Sequence, residues 1–536
     1  MDMHATSRAA ALHNARGEEP ASYFAYGDHS GTIIAHIALM ILGWCFVLPA
    51  AVMFSIARSR LALPSQFLFL ILNAVGLLLG IIYNNQTPDL YENNAHHKIG
   101  WIITFVVGAQ FILALILTYA GRGESFQTRS VDRGSFLPLA TDEHESLYPN
   151  REIHGYRLSR DSDQGTESAS SSPSREDGFE KPGELYTKPS RFQAWLYSSK
   201  AHQFLSNHVP RITTPRALRI LNTISCVVDR IILPFGFVAI ATGGLTYGGI
   251  FRGDEIFNGL AHFIRGGIFF WYGILTLGRF TGAWADLGWA WNKKPPARIV
   301  GWKSRFPSCE FVESFLIFLY GITNVFLEHL AGWGGEWTAR DLEHVAITIM
   351  FFGGGLVGML VESRAIREGL NSTLFEAPTY ESELDEEDWR PPKSQAVSLN
   401  PMPALIILLL GMIMGGHHQD SMTSTMVHKQ WGNLLAGAAL ARGLTYVVLF
   451  LRPPTSYLPY RPPTELVAGF CLISGGLIFM LSASDVIIAM EYYEVHAMFI
   501  FTVVMGLTAF IMALVVVAIA IKSWAVRRER SRKERA

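Results

Sequence analysis

The sequence predicts an all-α polytopic membrane protein with about eleven transmembrane helices. Apolar residues make up 50% of the 536 residues and charged residues only 17%, against about 25% charged residues in soluble domains. The apolar residues occur in long runs. Such runs are typical of helices that cross a lipid bilayer, where each helix forms all its backbone hydrogen bonds internally. A net charge of −1 gives no sign of nucleic-acid binding. The expected partner is the lipid bilayer, and protein partners stay unknown.

Eleven apolar runs are long enough to be spans. The first four predict a four-helix bundle and the other seven, within 256–521, a second bundle. The eighth run is short and has little room to tilt. The approximate spans are 31–57, 64–83, 98–120, 224–250, 256–280, 308–331, 342–362, 401–416, 431–451, 464–488 and 495–521.

Basic residues favour alternate connections, and this pattern predicts the orientation. The basic set includes Arg58, Arg60, Arg364, Arg367, Arg452, Arg461, the loop 293–305 and the tail 522–536. The alternating set contains little more than Lys98, Arg252, Arg340 and Lys429. An odd number of spans then places the N-terminal segment 1–30 outside or in a lumen and the C-terminus in the cytosol. The membrane is a plasma membrane or an endomembrane.

A polar stretch at 121–222 separates the third and fourth spans. It is rich in Ser, Arg, Glu and Asp and has no apolar periodicity, so we expect a disordered cytosolic linker. Two interpretations stay open: a simple connection between two groups of helices, or a target for kinases or a tether for a partner.

Eleven histidines fall at the predicted outer face of the membrane, and none falls near the cytosolic end of a span. Ionisable groups within spans are costly and usually pair, ligate or relay protons. The alternative is that imidazoles simply favour membrane interfaces, although that would populate both faces. The eleven are His29, His36, His96, His97, His262, His329, His344, His417, His418, His428 and His496.

The first span carries His36, Leu39-Met40, Trp44, Leu48-Pro49 and Ala57-Arg58, and the third begins with His97-Lys-Ile-Gly-Trp101. This spacing resembles the first and third core helices of the cytochrome b-561 family. In that family the first and third core histidines ligate one haem, and the second and fourth ligate another. The second and fourth spans here lack histidine. The resemblance therefore implies one haem b, held by His36 and His97.

The choice of haem ligands has alternatives. Two neutral imidazoles on facing helices suit a haem inside a four-helix bundle. His96 competes with His97 as the second ligand. Both ligand candidates could instead be hydrogen-bonded residues between helices.

The stretch Thr87–Trp101, TPDLYENNAHHKIGW, is similar to a fungal family of multispanning proteins of the Ytp type. The resemblance covers nearly the whole chain except the linker. It implies a fungal membrane protein with a cytochrome-like N-terminal domain and a Ytp-like C-terminal membrane domain. It implies no specific activity.

Histidines and carboxylates recur near one depth in the C-terminal half, where they could ligate copper, iron or zinc. Met412, Met414, Met422 and Met426 would favour copper(I), but methionine also fills gaps between helices. The alternative is a layer of interhelical hydrogen bonds. The candidate metal ligands are His262, His329, His344, His417, His418, His428 and His496.

Glycine pairs and runs occur at 243–244, 353–355 and 475–476. They are not part of a phosphate-binding loop motif, and inside membrane spans they predict close contacts between helices.

These features favour a redox or metal-handling membrane protein with a single-haem, b-type cytochrome-like bundle. One haem at the outer face would not carry electrons across the bilayer, because the inner histidine pair is missing. The alternatives are a metal transporter or sensor that uses the outer histidines, and a non-catalytic scaffold. Whether the protein is an enzyme stays open.

Overall fold

The computed structural model describes residues 22–124, 214–253, 255–324, 336–372, 392, 397–417 and 419–535. Within these ranges all regular structure is helical and no strand is present. The predicted all-α polytopic class is confirmed. The predicted linker lies mostly outside the described residues.

The membrane helices are labelled α1 to α11 in chain order. Among the described residues, ten helical stretches are long and apolar enough to cross a bilayer, and α8 is a shorter apolar helix. Ten candidate spans and one shorter apolar helix are consistent with the prediction of about eleven spans; the stretch counted for α6 is Ala297–Asn324, which also includes the short helical turns before it. The bounds are α1 Ser30–Ile56, α2 Ala62–Gln86, α3 Ala95–Glu124, α4 Pro215–Gly248, α5 Glu255–Thr281, α6 Cys309–Asn324, α7 Ala339–Glu362, α8 Met402–Gly416, α9 Met422–Leu451, α10 Pro463–Leu481 and α11 Ala497–Arg535.

The helices form two bundles with separate apolar cores. Helices α1 to α4 surround one core, which includes Trp44, Phe69 and Ile103. Helices from α5 to α11 surround a larger core, which includes Trp431 and Phe479. The arrangement agrees with the predicted division into four and seven helices.

Helix α1 contains a π-helical segment, Leu42–Val47, in its middle. Pro49 lies two residues after this segment, and its missing N–H removes one i→i−4 bond from the helix. A change of hydrogen-bond pattern beside a proline is an expected response. The segment turns Trp44 into the core, where its indole N–H donates to Asn73 Oδ1 at 3.1 Å.

Glycines allow three pairs of helices in the second bundle to approach closely. A Cβ on Gly476 would meet the backbone of α5, and one on Gly411 would lie 2.6 Å from a carbonyl oxygen of α9. A Cβ on Gly355 would meet the backbone of α6. The predicted close contacts at 353–355 and 475–476 therefore occur, since small residues let helix backbones touch.

Three predicted boundaries need correction. Helix α4 begins at Pro215, because Thr214 caps it by accepting from the Ala217 N–H at 3.3 Å. Residues 215–222 are thus helical and not linker. The predicted tenth span, 464–488, breaks after Leu481, where Ala483 is extended before a short helix, Ser484–Tyr492.

The third correction concerns the basic tail. Helix α11 continues without a break through 39 residues to Arg535. Its length is about 58 Å at 1.5 Å per residue, roughly twice the hydrocarbon thickness. The tail 522–535 is therefore a helical extension of the last span.

The two bundles contact each other along α4, α5 and α11. Phe237 of α4 stacks on Phe270 of α5, with ring centroids 4.9 Å apart. Trp524 of α11 lies edge-on to Phe54 of α1 at 6.3 Å. Near the end of α11, Glu529 accepts a hydrogen bond from the Ser59 hydroxyl at 3.1 Å.

Candidate functional site

The histidine end of the N-terminal bundle is the end where α1 and α3 begin. It contains one close pair of imidazoles, His36 on α1 and His96 on α3. Their ring centroids lie 6.4 Å apart and their planes are 80° apart. His36, on α1, packs against α2, and His96, on α3, packs against α4.

A glycine lies beneath each ring of this pair. A Cβ on Gly80 would come within 3.0 Å of the His36 ring, and a Cβ on Gly243 within 3.0 Å of the His96 ring. Larger side chains at these two positions would push the imidazoles out of place. The glycines therefore fix how deeply both rings sit.

Hydrogen bonds orient both rings through Nδ1. The Nδ1–H of His36 donates to the Gly76 carbonyl oxygen at 2.7 Å. His96 Nδ1 lies 3.4 Å from the Thr242 hydroxyl oxygen, which itself donates to Val238 O at 2.8 Å and so accepts from the imidazole. In the neutral ring this tautomer leaves a lone pair on Nε2, the form in which histidine binds a metal.

The structure separates the two adjacent histidines that the sequence left as competitors. His97, one position further along α3, is exposed. Its backbone N–H is held by Asn94 Oδ1 at 2.9 Å at the helix start. Successive helix residues point about 100° apart, so only His96 of the two faces His36.

The opposite end of this bundle is built differently. Asp229 of α4 accepts from the Ser55 hydroxyl at 2.5 Å and from the Gln110 amide at 2.9 Å. The same Gln110 amide donates to Ser225 Oγ at 2.9 Å. A carboxyl–amide–hydroxyl network thus occupies the end of this bundle opposite His36 and His96.

A second pair of imidazoles lies at the histidine end of the C-terminal bundle. His262 of α5 and His428 of α9 have ring centroids 6.4 Å apart and planes 89° apart. Each donates from Nδ1 to a carbonyl of its own helix at 2.9 Å, His262 to Asn258 O and His428 to Ser424 O. Phe479 packs on His262 at 5.7 Å, so this pair is tightly enclosed.

Other predicted metal ligands gather only partly around this pair. His344 interacts electrostatically with His262, and His417 with His428. His417 Nδ1 also lies 3.2 Å from Glu343 Oε2. His496 is exposed at the start of α11, and His329 and His418 lie outside the described residues. Within the described part of the chain, no group of three or more His, Cys, Asp or Glu side chains is arranged to hold a metal ion.

The C-terminal bundle also contains a buried charge network, defined as Arg279, Glu310, Glu313, Arg442 and Glu465. Its side chains are at most 5% exposed. It lies at the end opposite the histidines, where α5 ends and α6 and α10 begin.

The ion pairs of this network form a chain. Arg279 contacts Glu310 Oε1 at 2.7 Å and Glu313 Oε1 at 2.8 Å. Arg442 contacts Glu313 Oε2 at 3.4 Å and Glu465 Oε1 at 2.6 Å. The order is carboxyl, guanidinium, carboxyl, guanidinium, carboxyl.

The loop after α5 covers the network. Trp291 is 1% exposed, and its ring centroid lies 4.1 Å from Arg279 Cζ and 5.5 Å from Arg442 Cζ. Arg279 Nε donates to the Trp289 carbonyl at 2.6 Å. At the loop surface, burial lowers the pKa of Lys294, with the nearby charge of Arg364 adding to the effect.

This network was not predicted from the sequence, in which the histidine pattern pointed to the other end of the helices. A signal was present, since Glu310, Glu313, Arg442 and Glu465 all lie inside predicted spans. Charged residues inside spans mark functional sites by default.

The two helical bundles define a polytopic membrane protein, and comparison with known proteins gives its family. Residues 235–523 match the family model described as "Protein YTP1-like, C-terminal". Residues 17–120 match a "Domain of unknown function (DUF2427)". The chain therefore belongs to the YTP1-like family, which confirms the Ytp-type resemblance.

Three fungal relatives support this assignment. An uncharacterised membrane protein of Schizosaccharomyces pombe is 32% identical over 96% of this chain and 99% of its own length. An uncharacterised membrane protein of Saccharomyces cerevisiae is 38% identical over 62% of this chain and 52% of its own length. Protein YTP1 of S. cerevisiae is 26% identical over 37% of this chain and 36% of its own length.

No solved structure matches this chain. The comparisons do not confirm the cytochrome b-561 resemblance.

Proposed function

We propose that this protein is a membrane-bound, b-type cytochrome-like redox protein that holds one haem b between His36 and His96. The observation that supports it is the 6.4 Å separation of the two ring centroids. Two imidazoles that ligate one metal ion from opposite sides have centroids about 6 Å apart, from roughly 2 Å per metal–nitrogen bond plus roughly 1 Å to each ring centre.

The number of ligands favours haem over a bare metal ion at this pair. Structural zinc takes about four protein ligands, whereas haem brings its own ring nitrogens and needs only axial ligands from the protein. The described residues offer two imidazoles here and no third ligand-type group arranged with them. The pair comes from opposite sides of a four-helix bundle, which is a usual arrangement for a bundle cofactor.

The chain's own residues would set the properties of such a site. Haem supplies one-electron transfer when bound. Gly76 and Thr242 hold the imidazoles in one tautomer and orientation, which is how outer hydrogen bonds tune a metal ligand. Because Asp229 and Gln110 occupy the other end of the bundle, electrons would be exchanged at the predicted outer face and not passed across the membrane.

Adjacent histidines provide a matched experiment. The full chain is purified after expression with haem supplied, and reduced and oxidised visible spectra are recorded. We expect a Soret band and sharp α-bands at one haem per chain, lost in H36A and in H96A but kept in H97A. Absence of haem in the wild type would refute the proposal. Loss of the haem spectrum in H97A, with its retention in H96A, would show that His97 is the second ligand, as the sequence predicted.

A second candidate function is metal handling at the C-terminal histidines. It is favoured by the His262–His428 pair, whose Nδ1–H groups are both bonded to carbonyls, which leaves Nε2 of each neutral ring with a lone pair. Phe479 and Trp431 pack around this pair, so a small ion such as copper, iron or zinc suits it better than haem.

Metal analysis after purification without chelator tests this candidate. The double change H262A/H428A should remove the metal, and H496A, an exposed histidine at the same end, should not. A metal-free wild type, or equal metal content in both variants, would leave these histidines as hydrogen-bonding residues between helices.

A further inference from the structure

We propose that the buried charge network is a proton-binding site, and that its ligand is one proton held on Glu310 and exchanged at the predicted cytosolic face. The network lies at the opposite end of the helices from both histidine pairs. The proposal is therefore independent of haem or metal binding.

The charges of the network do not balance. Three carboxyl groups face two guanidinium groups, and every one of these side chains is at most 5% exposed. Among the described residues, no third cation forms an ion pair with these carboxyls. An unpaired buried charge is strongly unfavourable, and such a group takes up a proton instead. One carboxyl of the three should therefore be neutral.

The distances indicate which carboxyl holds the proton. Arg442 has one short carboxyl contact, with Glu465 at 2.6 Å, and its contact with Glu313 is longer at 3.4 Å. The contact with Glu465 is not a hydrogen bond, and both Glu465 carboxyl oxygens lack a hydrogen-bond partner among the described residues, but at 2.6 Å it is an ion pair. We therefore assign Glu465 as ionised. Arg279 has two short contacts, with Glu310 and Glu313, and needs only one anion.

Glu313 is the better anion of these two. It contacts both guanidiniums, and the Cys309 thiol lies 3.4 Å from its Oε1. Glu310 pairs with Arg279 alone. The proton therefore belongs on Glu310.

The surroundings contain buried polar groups that lack partners. Within the described residues the Tyr446 hydroxyl and the Trp291 indole N–H have no hydrogen-bond partner, although these side chains are only 8% and 1% exposed. Tyr446 interacts electrostatically with Arg442, Glu310, Glu313 and Arg279. Buried unsatisfied groups call for a specific explanation, and a small polar ligand with its water supplies one.

A cavity beside Arg442 supports this explanation. It is lined by Tyr272, Ala438, Ala468 and Leu472 among others and has room for about one water molecule. A water there would lie beside the Arg442 guanidinium, whose Nε–H has no hydrogen-bond partner among the described residues.

The position of Glu310 gives the proton a way out. Glu310 is the second residue of α6, directly after the loop that ends with Ser308. The Ser308 hydroxyl donates to Glu362 of α7 at 2.7 Å, so polar side chains lie at this end of α6. Dissociation converts the Glu310 carboxylic acid to a carboxylate and delivers the proton to water at this face.

Infrared spectroscopy of the full chain in lipid nanodiscs tests the proposal. A protonated carboxylic acid has its own carbonyl stretching band, and ¹³C-labelled glutamate separates Glu310 from the buried Asp229. We expect one labelled glutamate band near neutral pH in the wild type. E310Q should lose it, fold, and keep its thermal midpoint, because one neutral group replaces another.

Two further variants serve as matched controls. E313Q and E465Q each remove an ionised carboxyl, so Glu310 must then ionise to balance the two guanidiniums. These variants should therefore lose the band as well, but unlike E310Q they should unfold at a lower temperature than the wild type.

Several results would overturn the proposal. These are no protonated glutamate band in the wild type, a band that survives E310Q, or an E310Q protein that is as unstable as E465Q or does not fold. Stability that depends on sodium or potassium at constant pH would assign the surplus charge to a bound cation instead. An unchanged haem spectrum in E310Q is expected in every case.

Discussion

Replacing Arg279 with methionine tests how much the buried charge network contributes to folding. The change keeps an unbranched side chain of comparable length but removes a guanidinium with three partners. These partners are Glu310 at 2.7 Å, Glu313 at 2.8 Å and the Trp289 carbonyl at 2.6 Å. All three would lose their donor in a region where water does not replace it.

The expected cost follows from burial. Removing one member of a buried ion pair destabilises a protein by about 3–5 kcal/mol, because the remaining charge is left uncompensated. Protonation of Glu313 would relieve part of this cost, so we expect the lower half of that range at acidic pH.

Lys303 provides a matched control in the same region. Lys303 pairs with Asp286, but the two side chains are 30% and 31% exposed. Ion pairs with this exposure contribute about 0–1 kcal/mol. Lys303→Met should therefore change stability little.

Both variants are measured by equilibrium unfolding in mixed detergent and dodecyl sulfate micelles, with circular dichroism as the readout. A result in which Arg279→Met costs no more than Lys303→Met would refute the view that the network stabilises the bundle. It would also indicate that water enters the network.

Three further predictions concern the N-terminal bundle and the linker. Gly236→Ala should lower the unfolding free energy by about 1–3 kcal/mol, because its Cβ would lie 2.6 Å from the Trp44 ring. The control is Gly244→Ala, whose Cβ would meet nothing within 4 Å. In thermal unfolding this control should be neutral or stabilising. Tyr91→Phe should lower the thermal midpoint modestly and flatten its alkaline dependence. The Tyr91 hydroxyl donates to the carbonyl oxygens of Ile250 and Phe251, at 2.9 and 2.6 Å. Burial raises the pKa of Tyr91 above its ordinary value of 10.0, so this stabilising contact is fully present below pH 10 and is lost as the pH rises through the higher folded value. An unchanged alkaline profile would contradict this. In sealed vesicles with the cytosolic face inside, a protease should cut the linker between Glu124 and Pro215 only after permeabilisation. Cutting of intact vesicles would invert the topology.

Apolar patterning predicted the helical fold well. Residues such as Leu78 and Phe105 are apolar and exposed on the outer surface of the bundle, which is the composition that a lipid-facing surface demands. Boundaries were harder to predict, because caps and helix extensions depend on local polar residues. Helix α11 is an example. Its last turns carry charged residues, which predicted the end of the span, but the helix continues, and Trp524 within this part packs against Phe54.

The candidate sites were predictable only in part. Sequence placed His36, His96 and His97 at one end of the bundle, but whether His96 or His97 faces His36 depends on the rotation of α3. That rotation is set by tertiary packing, including the fit of His96 over Gly243. The charge network was harder still, since Arg279 and Arg442 are 163 positions apart and meet Glu313 only after three helices pack together.

The contact between α11 and α1 has a consequence for how the chain is made. The ribosome delivers α1 to the membrane first and α11 last, yet Phe54 and Ser59 find their partners Trp524 and Glu529 only in α11. Early domains generally fold before later ones are synthesised. Here one face of the first bundle stays uncovered until the last helix is inserted. A chain that stops before α11 therefore exposes a surface that the cell's quality control can detect.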